Sequence, residues 1–332
     1  MKSPYTGKEM VPVYEKRLWH FRGENYSYNR LSWYDEDTKE SFTTDESDDA
    51  SFIQVTNQYR DKYGIPYTDE IKAVRERYGL SAAKMSLLLG FGTNQYGKYE
   101  NGDVPNPSNG RTIASAMNPL VMKDYLERTR HELSESDYAK ISNKIEAIIS
   151  DNIKHRIDSY AKSRIFSTAR GPENGYAIQA LDRLENLLLY VIENNESVWT
   201  TKMNKILFYI DFLAYKKFGM AISGLSYKAI DFGPVPEKWF RIYSEFDSIE
   251  QRPERAMEYG GTKLTSSQKP SMTMFSEEEK SVISHVCRLL SEKSSSQISA
   301  MSHREEAWLK HKDKQERIPF EEAFSIKEIS LQ

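Results

Sequence analysis

Apolar and polar side chains alternate through Val11, Val13, Leu18 and Phe21 and again through Tyr26, Tyr28, Leu31 and Trp33. This period of two predicts a small antiparallel hairpin turning at Gly23-Glu24-Asn25. After the acidic run Asp45 to Asp49, Phe52, Val55 and Tyr59 resume at helical spacing as a connecting helix. From Thr68 the pattern is wholly helical: Ile71, Val74 and Tyr78 up to Gly79, then Met85, Leu88 and Leu89 between Ser81 and Gly90. A third short helix runs from Thr93 to Asn101, Pro105 and Pro107 forbid its continuation, and Ile113, Ala116 and Met117 mark a fourth.

Tyr138, Ile141, Ile145, Ile148 and Ile149 lie on a Lys-, Glu- and Ser-rich helical stretch between Leu120 and Phe166. Fewer than three clean heptads leave a solvated connector and an oligomer seam equally open. Arg170 to Gly175 is the expected linker. Beyond it, a helix from Tyr176 to about Asn194 carries Leu181, Leu184, Leu188 and Val191, and another opening at Thr200 carries Met203, Ile206, Leu207, Ile210 and Leu213. Leu225 to Phe232 reads as extended and Pro236 as the start of a helix. Pro253 to Pro270 is loop-like with a short hairpin, and Ser276 to Glu279 is a capping box before Val282, Ile283, Val286 and Leu290.

The expected fold class is therefore mainly α, an α+β chain with a small β-ribbon, a helical bundle and a mostly helical second core with a short sheet. Its 332 residues are enough for two or three cores. Forty-six basic against 49 acidic residues leave a formal charge of -3, so any nucleic-acid contact is local rather than a coat over the whole chain. A lone cysteine, Cys287, rules out a disulfide framework and multi-cysteine metal sites and suits a reducing compartment, so a cytoplasmic location is expected. The greasiest run, Met203 to Ala214, contains Asn204, Lys205 and Asp211, which argues against a membrane span.

On the third short helix, Asn94, Gln95 and Lys98 share one face while Tyr96 and Tyr99 turn to the other. Asn and Gln pair bidentately with adenine and Lys donates to guanine, so this trio suits a major groove, with Thr93, Lys84 and Asn101 placed to meet phosphate. The alternative is a merely solvated face. Leu80 to Gly102 resembles, without a gap, the helix-turn-helix of the Xre and Cro repressor class, and Tyr99-Glu100-Asn101-Gly102 is the most specific part. That resemblance implies a dimer on palindromic operator DNA. Eight basic and seven acidic residues between 69 and 128 mean that a monomer would bind weakly and with strong salt dependence.

The first 131 residues resemble an MqsA-type antitoxin, a small zinc ribbon followed by a helix-turn-helix. In that family Asn and Arg on the third helix read DNA, and the matching positions are Asn94 and Lys98. Trading a guanidinium fork for a point charge weakens the carry-over of base preference. Ser3 and Thr6 stand where the first Cys-x-x-Cys pair belongs, and Tyr34 and Asp37 stand near the second. None is a thiolate, so no metal is expected and the ribbon is expected to be held by its aromatic face, with His20 a lone histidine.

Tyr176 to Phe324 resembles the Panacea, or SocA-like, module through Thr201-Lys202-Met203-Asn204-Lys205, Phe208-Tyr209-Ile210-Asp211, Gly224-Leu225-Ser226-Tyr227, Phe232-Gly233-Pro234-Val235-Pro236 and Ser302-His303-x-Glu305-x-Ala307-Trp308. The resemblance implies a module that neutralises a cognate toxin protein, or an adaptor delivering it to a protease, without catalysis. Lys202 and Lys205 are expected to form one basic edge, and Phe232 to Pro236 a rigid exposed turn. Together with Tyr209, His303 and Trp308 these are candidate toxin contacts, against the alternative that they only shape the fold. No Gly-rich phosphate loop, His-Glu-x-x-His or Gly-x-Ser-x-Gly occurs, and His285 and Cys287, two apart on one helix, point to different sides. No catalytic residue, cofactor or metal is therefore expected.

The expected division is a ribbon and connecting helix at 1–62, a helix-turn-helix at 66–131, a connector at 132–175 and a Panacea domain at 176–325. The reading is an antitoxin that binds its toxin and represses its own operon, as a homodimer of the Xre class. The rivals are a proteolytic adaptor and a mobile-element regulator without a toxin.

Overall fold

The computed structural model describes residues 1–256 and 259–330. These fall into two units, one formed by 1–54 with 159–332 and the other by 55–158.

The first unit opens with β1 (Val11–Phe21) and β2 (Glu24–Tyr34), antiparallel in the register Val11 opposite Tyr34 and Phe21 opposite Glu24, with β3 (Ser41–Phe42) on the edge of β2. The hairpin turns one step earlier than its glycine suggests. Arg22 and Gly23 form a two-residue loop, both at positive φ, while Glu24 and Asn25 already pair in the ladder. A two-residue loop with positive φ at both positions matches the strand twist, which a loop centred on Glu24 would not.

Helix α1 (Asp45–Tyr63) starts in this unit. Its Gln54 carboxamide acts as an extra strand partner for β2, accepting from Asn29 N at 3.0 Å and donating to Asn29 O at 3.0 Å. Trp19 and Phe21 pack on Phe52, so the aromatic face does hold the ribbon. A second device lies where zinc ligands were absent. The turn at Ser3 to Thr6 and the turn after β2 are tied through Asp35, which accepts from the Ser3 hydroxyl, from Thr6 Oγ1 at 3.4 Å and from Asp37 N at 2.9 Å. The group answering Ser3 is thus Asp35, rather than the flanking Tyr34 or Asp37, and its hydrogen bond from Ser3 holds the carboxyl below the usual range.

The second unit is a bundle of α2 (Thr68–Arg77), α3 (Ala82–Leu88), α4 (Gln95–Glu100), α5 (Pro107–Ala116), α6 (Pro119–Arg128) and α7 (Glu135–Ser150). Ile71, Met85, Tyr96, Ile113, Met122 and Leu126 are fully buried at its centre. Ile141 and Ile145 join that same core. The apolar stripe of α7 therefore packs on the bundle that precedes it.

Helix α8 (Asn152–Ile165) leads back to the first unit. Arg170 to Gly175, expected as a linker, is instead anchored in the interior at its glycines and Asn174, with Pro172 and Glu173 exposed. Gly171, Asn174, Gly175 and Tyr176 are buried, the Asn174 carboxamide bonds Gly171 N at 3.1 Å, and Gly175 at φ +60° approaches Ala221 and Phe320 so closely that a Cβ would sit 2.8 Å from the alanine methyl. Gly175 and Tyr176 both have positive φ, which is why α9 (Leu181–Glu193) begins five residues later than the apolar pattern suggested.

Helix α10 (Thr200–Phe218) is the axis of this core. Every residue from Lys202 to Tyr215 is buried, so it is enclosed all round rather than amphipathic. Around it lie the hairpin β4 (Tyr227–Ile230) and β5 (Gly233–Pro236), the short α11 (Trp239–Ile242), the hairpin β6 (Glu250–Ala256) and β7 (Tyr259–Thr265), then α12 (Glu277–Leu290), α13 (Ser295–Ser302) and α14 (Glu306–Leu309). Pro236 ends a strand and does not open a helix. The ribbon belongs to this unit: Tyr14 packs on Phe324 with ring centroids 5.6 Å apart, and the Lys216 ammonium lies 4.9 Å over the Tyr14 ring.

Candidate functional site

In the bundle, α4 is six residues long, with Asn94 and Asn101 as its flanking caps. Tyr96 is fully buried and donates its hydroxyl to Ile71 O at 2.7 Å, while its backbone N–H donates to Ser86 Oγ at 3.0 Å. Tyr99 is buried and accepts from the Asn109 carboxamide at 2.8 Å. These bonds fix the rotation of α4. With both tyrosines inward, Thr93, Asn94, Lys98 and Asn101 are exposed and Gln95 is half-buried. The Asn94 side chain makes no cap hydrogen bond. Glu100 holds Arg75 of α2 at 2.6 Å and Gly102 adopts φ +107°, so the Glu and Gly of the Tyr-Glu-x-Gly signature tie α4 to α2 and close its turn.

Charge is distributed unevenly. Lys72 pairs with Glu76, Arg75 with Glu100, Lys123 with Glu146 and Arg128 with Asp124. Lys84 is committed to Asp137 of α7, which differs from the free phosphate contact its position suggested. Its partner lies 53 residues on, beyond any local spacing rule. Among the described residues Lys98 and Arg111 have no acidic partner and remain exposed.

The Panacea-type residues converge elsewhere, on the tip of the β4–β5 hairpin. Lys202 and Lys205 form no basic edge: they are 2% and 1% exposed. Lys205 donates to Phe232 O from the interior, and burial brings its ammonium down to about 7. Trp308 donates its indole N–H to Ile230 O at 2.8 Å and stacks on His303, with centroids 4.2 Å apart and planes 13° apart. Gly233 sits at φ +95°, where a Cβ would meet Lys205 Cε at 2.8 Å, Ser302 Oγ at 2.9 Å and His303 Nε2 at 3.0 Å. Only glycine fits there. Gly233 to Pro236 is therefore a buried strand, and the expected exposed turn shrinks to Asp231 and Phe232. Phe232 is 75% exposed.

Beneath this tip, Tyr209 is fully buried, and burial together with the neighbouring Glu305 carboxylate pushes its phenol up. Glu305 accepts from Lys327 N and Glu328 N, both at 3.0 Å, and its own carboxyl is raised by burial. Burial, then the Lys205 charge, holds the His303 imidazole below its ordinary value. Asp211 is fully buried: it accepts from Ile222 N at 2.9 Å, Ser223 N at 2.8 Å, the Ser223 hydroxyl and Tyr227 Oη at 2.6 Å. This cluster of polar groups shapes loops, and no metal-sized grouping of His, Cys, Asp or Glu occurs among the described residues.

These two arrangements define a helix-turn-helix module and a separate helical module whose signature residues brace one hairpin. Residues 71–120 match the helix-turn-helix family model, and residues 203–309 match that of the SocA-like antitoxin Panacea domain. The chain thus carries both, and neither family is enzymatic. No curated protein and no solved structure matches it. Among the described residues no helix is long and apolar enough to cross a membrane.

Proposed function

We propose that this protein is the antitoxin of a toxin–antitoxin pair, which captures its cognate toxin protein through the Panacea module and represses its own operon through the helix-turn-helix. The observation that carries this reading is the presence of both family matches on one chain, each over a module with its own core. On the DNA side, Asn94, Gln95 and Lys98 read base edges in the major groove, while Thr93 and Asn101 approach phosphate, with Lys84 a lesser contributor because Asp137 already holds it. Since most of the basic side chains in the bundle are neutralised by acids, a homodimer on paired half-sites supplies the phosphate contacts that one copy lacks.

On the toxin side Phe232 is the contact. Lys205, Gly233, Pro234, His303 and Trp308 hold its hairpin in place, Tyr209 supports them from below, and Lys202 lies apart beside another turn. An exposed aromatic on a rigid tip loses little entropy on docking. Neutralisation is by occlusion, without chemistry on the toxin.

The test uses the full chain, because residues 1–54 pack with the Panacea half and a fragment lacking them would bare that surface. The chain is co-expressed with the product of the adjoining gene, and colony survival, co-purification and operon expression are measured. The expected result is survival with a stable complex, lost on Phe232→Ser and retained on Asn94→Ala with Lys98→Ala, while only the latter pair releases repression. Death despite good expression sinks the antitoxin reading in favour of a plain regulator. Survival that vanishes in a protease-deficient host favours an adaptor.

A further inference from the structure

We infer that the first unit also holds a binding site for a nucleoside monophosphate, in the cavity between the start of α10, the edge of β7 and the turn joining α12 to α13. Its volume is about 630 Å³, within the range of small-ligand sites. It lies apart from the hairpin tip, and the antitoxin reading makes no use of it.

Lys202 is the first reason. Its side chain lines the cavity although the residue is only 2% exposed. The ammonium donates to Glu196 O at 3.0 Å and Ser291 O at 2.7 Å, both neutral carbonyls, and no carboxylate forms an ion pair with it among the described residues. An ammonium has three donors, so one remains. A buried ammonium held by neutral carbonyls, with the Glu196 carboxylate acting on it only at longer range, is costly, and an anion in the adjoining cavity relieves that cost.

The start of α10 is the second. Trp199 is its N-cap and offers no side-chain acceptor, and the first helical bond runs from Met203 N to Trp199 O at 2.8 Å. The amides of Thr200, Thr201 and Lys202 are left without intrahelical acceptors in a wall of this cavity. By contrast α13, which faces the same space, is closed by a reciprocal cap in which Ser294 Oγ takes Gln297 N and Gln297 Oε1 takes Ser294 N. Beside that cap, Ser295 Oγ is buried and has no hydrogen-bond partner among the described residues. Ser295 lines the cavity, and a turn about its χ1 would bring this hydroxyl to a ligand oxygen.

The third reason selects a nucleotide over a bare anion. The Trp199 indole lies against the Gly261 backbone so closely that a Cβ there would be 2.9 Å from Trp199 Cε3, and the same ring lines the cavity. A fixed, half-buried indole is a stacking platform for a base. Glu196 and Glu292 balance Lys202 and Lys293 in the lining, which disfavours a polyphosphate and offers acceptors for ribose or base donors.

The test is titration calorimetry of the full chain with AMP, GMP, CMP, UMP and inorganic phosphate at physiological ionic strength. At least one nucleotide is expected to bind about tenfold or more tighter than phosphate. Trp199→Leu removes that advantage, and Ser295→Ala weakens nucleotide and phosphate alike by about three- to tenfold. Both variants are checked for an unchanged melting curve. Lys202→Met is a further variant and is read only if it also melts normally, since its carbonyl bonds brace the fold. No heat with any nucleotide at millimolar concentration, nucleotide binding no tighter than phosphate, or affinities untouched by both Trp199→Leu and Ser295→Ala would each overturn the proposal.

Discussion

In the helix-turn-helix bundle Tyr96 and Tyr99 turn inward while Asn94 and Lys98 stand in solvent, whereas on α10 Lys202, Asn204, Lys205 and Asp211 all point into the core. Both segments carry a family signature, yet the signatures record different physics. On α4 the motif divides into a packing side and a free polar side, so its chemistry is available to a partner. On α10 and α13–α14 the polar motif residues answer backbone groups of loops that the helices enclose, and the exposed residue is the hydrophobe that those loops carry, Phe232. A signature of charged residues therefore marks a binding surface only where a solvent face exists to display it.

The strongest test of this contrast is Asp211→Ala. It leaves the donors of Ile222, Ser223 and Tyr227 buried and unpaired, a loss of about 3–5 kcal/mol. Hydrogen exchange should show protection falling sharply in α10 while α2 to α5 keep theirs. Equal loss in both units would break the comparison.

Lys205 gives the next largest effect, and its sign follows from its depressed value. The folded chain releases the Lys205 proton near pH 7 and the unfolded chain only near 10.5, so the unfolded state binds more protons between them and stability rises with pH across that window. Against Lys205→Met, the native chain should gain about 2 kcal/mol between pH 7 and pH 9 in urea unfolding. A pH-independent difference between the two would mean that the ammonium is solvated rather than interior.

On the exposed side, Asn94→Ala or Lys98→Ala should each weaken operator binding by about 1–3 kcal/mol in fluorescence anisotropy, with stability changed by less than about 0.5 kcal/mol. Losing Lys98 should also flatten the salt slope by about one unit if it sits at phosphate, and leave the slope alone if it reads a base. The smallest effect is expected from Lys84→Ala. A half-exposed pair with Asp137 is worth at most about 1 kcal/mol, and its loss should reduce operator affinity less than the loss of Lys98 does.

Helix α4 was legible because its period and its turn residues act locally. Gly79, Gly90 and Gly102 occupy positive φ, and Ile71, Met85 and Ile113 recur at helical spacing, so the element ends and the inward face follow from neighbours in the chain. The Panacea motif was legible as a motif but not as a geometry. Lys202 and Lys205, three apart, look like an exposed edge by helical spacing alone, and only enclosure of α10 by β5, α12 and α13 turns them inward. Arg170 to Gly175 failed in the same way: glycine, proline and asparagine suit a linker as well as a tight buried turn, and Ala221 and Phe320 decide between them from more than 40 residues away.

The sequence by itself determined the ribbon, the order of helices, the two modules and the exposed polar face of α4, because periodicity, caps and turn residues are set within a few positions of one another. Tertiary structure alone decided that Asp35 ties the turns at the foot of the ribbon, that Asp137 claims Lys84, and that the buried Lys205 holds a hairpin whose tip is Phe232. Each of these is a bond between groups far apart in the chain. Burial, which depends on what covers a residue rather than on the residue itself, sets whether such a polar group is a contact for a partner or a support for a loop.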